Sequence, residues 1–288
     1  MAASTSRRNT GRRGVLSSHA DIHSVSPGLM GERPNPDHIH IEELHGLAQA
    51  REVEELQMQI WGANEAWILP SHVLLIVSDY GGILLGARVD NALVGFVLGF
   101  LARHDDKLFH ASHMLGVLPA YRHHGIGAAL KWRQRQVAQD QGLDLMQWTF
   151  DPLEIKNAYL NIEKLGAIAR RYNINQYGIT SSPLQGGLPS DRLIAEWWLK
   201  SERVTTLLAT GKNPPFDSNS RIKVPAQVYD WKAVPETRIK AQQVQERNRG
   251  QFLQAFADGL SVLGYERDAE GNGKFVLGRW QENWSYAS

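Results

Sequence analysis

Between Ile83 and Val117 three strand-like runs, residues 83–89, 93–101 and 107–117, follow one another with only short gaps that hold Asp90-Asn91 and Asp105-Asp106. Such dipeptides form tight turns, and a parallel pair needs a crossover of about a dozen residues or more. The runs can therefore only pair antiparallel, as a meander. Immediately afterwards the period changes. Over 125–141, Ile126, Leu130 and Val137 fall inward at helical spacing, Lys131, Arg135 and Asp140 fall outward, and Arg133 and Gln134 leave a gap in the stripe.

Other segments extend this centre. Residues 38–44 alternate Ile39 and Ile41 with polar neighbours, 47–61 carry Val53, Leu56 and Ile60 at helical spacing, and Pro70 opens a short helix through Ser78. A strand over 143–150, a helix over 155–165 and strands over 167–177 and 193–199 complete the order β, α, α, β, β, β, α, β, α, β, β. The expected class is α+β or mixed α/β, with helices against a largely antiparallel sheet. After Lys200, Gly211-Lys-Asn-Pro-Pro215 reads as a linker. A helix over 236–263 then places Phe252, Phe256, Leu260 and Leu263 on one side, and 265–267 with 274–280 form a closing hairpin across Gly271-Asn-Gly273. Three regions are expected: a disordered Arg/Ser-rich tail (1–37) without a convincing targeting pattern, a main domain (38–200), and a small C-terminal α+β lobe (201–288).

Composition narrows the chemistry. Thirty-one Lys+Arg against thirty Asp+Glu leave a net charge of +1, too weak a field to make nucleic acid the default partner. There is no cysteine, which excludes disulfides, thiolate nucleophiles and sulfur-bound zinc. The longest apolar run, 92–102, is well short of the roughly 20 residues of a membrane span, so a soluble, cytoplasmic protein is expected. All eleven histidines lie between His19 and His124, so imidazole chemistry must come from the first half. His38 and His40 could share a strand face, but no third ligand is nearby and no metal site is expected.

The chemistry concentrates in Leu115-GVLPAYRHHGIGAALKW-Trp132. A strand ends at Val117, Pro119 stops it, and Arg122-His-His-Gly-Ile-Gly127 leads into a helix. A helix start leaves unpaired N–H groups and a partial positive charge, glycines at 125 and 127 let a phosphate approach the backbone, and Arg122 adds a cation. No Gly-Lys-Ser/Thr follows, and Leu130 replaces the third glycine of a dinucleotide fingerprint. The segment reads as a pyrophosphate site, or else as glycines that merely permit close helix–strand packing.

Arg122-x-x-Gly125-x-Gly127 after Val-x-Pro resembles the acyl-CoA loop of the GNAT superfamily of N-acyltransferases, and the element order over 38–200 is similar to that fold. The strings SHMLGV, WTFDPL, NAYLN, KLGA and GLPSDRLIAEWW resemble a poorly characterised bacterial branch with an extra C-terminal region. The resemblance implies a twisted mixed sheet flanked by helices and an acyl-CoA co-substrate, acetyl-CoA by default. Its pantetheine arm would pair like an added strand along Leu115, Gly116 and Val117. The pyrophosphate would sit on the amides of His123, His124, Gly125, Ile126, Gly127 and Ala128, and Asn157 would contact the arm. No metal takes part.

Acyl transfer to an amine needs a base, and His113 is the candidate, placed by period-2 counting on the face of Leu115 and Val117. The alternative is a core histidine. His110 faces the other way unless a bulge intervenes. Glu196, among tryptophans, is a second candidate, as a base or an ammonium anchor, or simply paired with Arg192. The general acid common in this superfamily is a tyrosine before Lys164-Leu165-Gly166, and here that position is Ile162. The expected function is direct transfer of an acyl group to a small-molecule amine or amino acid, with room for a homodimer. The alternative is a non-catalytic acyl-CoA binding or sensing module. Trp148, Trp197 and Trp198 suit either a partly apolar acceptor or a core.

Overall fold

In the computed structural model, which describes residues 39–62, 68–179 and 185–282, the turn dipeptides close hairpins as their chemistry dictates: Asp90 and Asn91 adopt φ of 50° and 67°. The chain runs β1 (Ile39–Glu43), α1 (Gly46–Trp61), α2 (Ser71–Asp79), β2 (Ile83–Val89), β3 (Ala92–His104), β4 (Lys107–Val117), α3 (Ile126–Asp140), β5 (Leu145–Phe150) and α4 (Ile155–Tyr159). A π-helical turn, Leu160–Lys164, continues α4. Then come β6 (Ile168–Asn173), β7 (Arg192–Trp198), α5 (Glu202–Thr210), β8 (Ser220–Val224), α6 (Val228–Ala233), α7 (Arg238–Ala257), β9 (Ser261–Arg267) and β10 (Gly273–Gly278). The tail expected over 1–37 lies outside the described residues.

The strands form one ten-stranded mixed sheet in the order β1-β2-β3-β4-β5-β7-β6-β9-β10-β8. Neighbouring strands run antiparallel except β4 and β5. The strand alternation sorts side chains to two sides. Leu84, Phe96 and Leu98 pack with Ala50, Val53 and Leu56 of α1 and Leu74 of α2. Their neighbours Leu85, Val94 and Val97 pack with Ile126, Leu130 and Ala138 of α3. Helices thus cover both faces, and the expected mixed class is what forms.

The segment after residue 200 adds to this sheet: β9 meets β6 at Ala169↔Val262, and β10 and β8 follow. Buried Arg203 of α5 ties the segment in by donating to the carbonyls of Ile162, Gly166 and Leu263. Ser201 caps α5, accepting from the Val204 N–H. The helix expected over 236–263 stops at Ala257, because Gly259 turns the chain at φ 76° and the period becomes two. Val262 and Leu263 accordingly enter different clusters.

Candidate active site

Strands β4 and β5 register at only two positions, His110↔Met146 and Ala111↔Gln147. Beyond them β4 stays bound to β3 as far as Gly95↔Val117, and β5 to β7 as far as Phe150↔Leu193. The two strands part, and residues 112–117 present one edge of main-chain donors and acceptors without a strand partner. This edge carries Leu115, Gly116 and Val117. A Cβ on Gly116 would lie 2.8 Å from Ile60 Cδ1, so this glycine lets the last turn of α1 lie on β4.

Val117 leads through Pro119–Tyr121 to the glycine loop, where Arg122 Nε donates to the Val117 carbonyl at 3.0 Å. Arg122 is exposed and held at the mouth of the cleft. Gly125 is the N-cap of α3 at φ 80°, a conformation a side chain would strain, and no side chain caps the helix. The first helical bond runs from Ala129 N to Gly125 O at 3.0 Å, so the amides of Ile126, Gly127 and Ala128 precede it. A Cβ on Gly125 would meet nothing within 4 Å, and one on Gly127 only Leu115 Cδ2 at 3.8 Å. His124 Nδ1 is buried without a hydrogen-bond partner among the described residues. Open space and free amides fit a diphosphate, while helix–strand packing makes no use of the glycines' missing side chains here.

Period-2 counting misplaces the histidines. The β3–β4 register slips between Leu98↔Met114 and Gly99↔Ser112, leaving His113 as a bulge. His110 and Ser112 therefore face α3 together with Leu115, whereas His113 lies on the opposite side against Phe100, ring centroids 5.7 Å apart. His113 keeps solvent access on that side, and the protein around it holds its imidazole below the ordinary value by desolvation. His110 is fully buried, and burial together with nearby Lys131 pushes it down to about 3.

Lys131, expected on the outside of α3, is buried at 3% exposure. Its Nζ donates to Ser112 Oγ at 2.9 Å and Gln134 Oε1 at 3.2 Å and lies 3.6 Å from the centre of the Trp148 ring. Ser112 Oγ donates to Gln134 Oε1 at 2.9 Å, and Gln134 Nε2 meets His110 Nε2 at 3.0 Å. The chain reads His110–Gln134–Ser112–Lys131 and spans from β4 to β5 where they separate. Desolvation holds Lys131 well below the ordinary lysine value. The gap at Gln134 in the apolar stripe, with His110 and Ser112 two apart on a neighbouring strand, is the sequence signal of this cluster.

Glu196 is 1% exposed, and its partners are not Arg192. Arg170 Nη2 (2.9 Å) and Arg171 Nε (3.1 Å) of β6 flank its carboxylate, and Trp198 Nε1 donates at 3.2 Å. Both oxygens are engaged in an ion-pair clamp between β6 and β7, which accounts for the buried carboxylate without a substrate. Arg192 instead donates to Asp191 O and Gln185 Oε1. Asn157 is exposed on α4, Tyr159 is half-buried, and Ile162 is fully buried. Trp197 is core, edge-on to Trp132 and Trp148 at 4.9 and 6.0 Å, and Trp198 is buried as well. Among the described residues no three His, Asp or Glu side chains gather as metal ligands, and no helix is long and apolar enough to cross a membrane. His38 lies outside the described residues.

Residues 41–159 match the Acetyltransferase (GNAT) family. No curated protein matches the chain. Among solved structures, the chain is similar to the ribosomal-protein-S18-alanine N-acetyltransferase of Escherichia coli, at 13% identity and TM-score 0.46, covering 57% of this chain and 95% of that one. It is also similar to Arabidopsis thaliana NAA60 in complex with a bisubstrate analogue, at 15% identity and TM-score 0.45, covering 56% and 98%. An aminoglycoside 6'-acetyltransferase type Ii aligns at 15% identity and TM-score 0.43, covering 57% and 99%.

Proposed function

We propose that the protein is an acyl-CoA dependent N-acyltransferase that transfers an acyl group, acetyl by default, directly to a small partly apolar amine, a reading supported by the match of residues 41–159 to the GNAT family. The observation that carries this reading is the parting of β4 and β5 after Ala111, with the uncapped start of α3 at the open end. The diphosphate rests on the amides of residues 123–128 beside Arg122. The pantetheine arm, itself a chain of amides, pairs with the free edge at Leu115, Gly116 and Val117 as an added strand. Asn157 reaches the arm from α4.

The acceptor enters on the α1 side, where Phe100 and Trp61 are exposed near β4. His113 stands there as the base. A desolvated imidazole favours its neutral form, so it can take the proton that the attacking neutral amine releases as its nitrogen bonds to the thioester carbonyl. Transfer is direct, because the chain has no cysteine to carry the acyl group.

Calorimetry with acetyl-CoA followed by a CoA-release screen over amines tests the reading; binding followed by release with at least one amine is expected. His113→Ala should lower kcat about 100-fold with donor affinity retained. In the parent, the rise of kcat/KM with pH that His113 sets should have its midpoint below the ordinary histidine value of 6.5, since protonation silences the base and desolvation lowers its pKa. Unchanged turnover in His113→Ala would remove the base assignment alone. Buried Ile162 at the usual acid position favours a second reading, a binding or sensing module, for which the same screen gives acyl-CoA affinity and no CoA.

A further inference from the structure

Resting on the reading of the β4–β5 cleft as the acyl-CoA site, we propose that Ser112 is the catalytic residue that protonates the departing CoA thiolate and that Lys131 is the positioning residue that recharges it. The diphosphate at α3 and the arm along residues 112–117 fix the direction of the donor. The five residue steps from Val117 to Ser112 span about 17 Å, so the thiol end arrives where β4 and β5 converge. Ser112 is the first residue of β4 beyond the last registered pair, and Lys131 lies behind it.

Lys131 bridges both walls of the cleft, through Ser112 on β4 and the Trp148 ring on β5. Gln134 holds the geometry, accepting from both Ser112 and Lys131, so the serine hydroxyl can turn toward the cleft while Lys131 keeps Gln134 Oε1. The titratable group facing Lys131 is His110, which burial keeps neutral. Desolvation lowers this amine from the ordinary lysine range, which makes its ammonium a readier proton donor to the Ser112 oxygen it already contacts. When the tetrahedral adduct collapses, the C–S bond breaks and its electron pair stays on sulfur. Sulfur takes the Ser112 proton, and Ser112 takes one from the Lys131 ammonium, leaving a neutral amine. The proton that the acceptor nitrogen gives to His113 balances the one delivered to sulfur, and both groups re-equilibrate with water between turnovers. Acid and base thus stand on opposite sides of β4, which the bulge at His113 makes possible.

The test needs no acceptor. Coenzyme A is bound to the full chain and its thiol titrated by thiolate ultraviolet absorbance. A cation behind Ser112 should lower the bound thiol's pKa by about one unit relative to free coenzyme A. Lys131→Arg should keep the shift, and Lys131→Met should abolish it with coenzyme A affinity by calorimetry within threefold of the parent. Ser112→Ala should reduce amine-dependent turnover about 100-fold. A bound thiol that titrates like free coenzyme A in the unmutated protein overturns the proposal whether or not Lys131→Met folds, as does an identical shift in the parent and Lys131→Met. Absence of any coenzyme A binding would remove the site reading and this proposal together.

Discussion

Gly127→Glu is expected to weaken acetyl-CoA binding more than 100-fold while leaving the fold intact. A Cβ at this position meets only Leu115 Cδ2 at 3.8 Å, an ordinary contact, so the side chain is accommodated. A carboxylate in the first turn of a helix is itself favourable, and thermal stability should hold or rise slightly. The same carboxylate occupies the anion position on the amides of residues 126–128. At about 5 Å and an effective dielectric near 20, one like-charge contact costs about 3 kcal/mol, which is more than 100-fold in affinity. Calorimetry of both proteins with acetyl-CoA reads this directly, and parent-like affinity would refute the loop assignment.

Glu196→Ala should have the largest effect on stability, about 3 kcal/mol, toward the low end for removing one partner of a buried ion pair. The side chains of Arg170 and Arg171 are 26% and 37% exposed and recover some hydration when the carboxylate leaves, which keeps the loss from being larger. The unfolding midpoint in urea reads the change without any substrate. A stability-neutral Glu196→Gln with abolished turnover would instead return Glu196 to the reaction as base or anchor.

The meander, the helix after it and the glycine loop were legible because each rests on local chemistry: turn dipeptides, a 3.6-residue stripe and glycines free of a Cβ burden. The strand faces of the two histidines were not legible, for a nonlocal reason. A bulge is a mismatch between two strands, and nothing in SHMLGV alone states that β4 carries one residue more than β3 between Leu98 and Gly99. The exchange follows at once, with His110 turned to α3 and His113 to Phe100. Lys131 was read as outward because lysine usually is; its burial depends on partners from β4 and β5 that only the fold assembles. Glu196 likewise found arginines of β6, a strand adjacent in space, in place of Arg192 on its own strand. Beyond Lys200 the overlong helix came from counting Leu260 and Leu263 into a stripe that Gly259 had ended.

A crystal structure of the chain with acetyl-CoA tests the central claim most directly. The diphosphate should lie against the amides of Ile126, Gly127 and Ala128, with the pantetheine amides paired to β4 between Ser112 and Val117. Acetyl-CoA bound elsewhere, with those amides facing only water or the protein's own side chains, would contradict it.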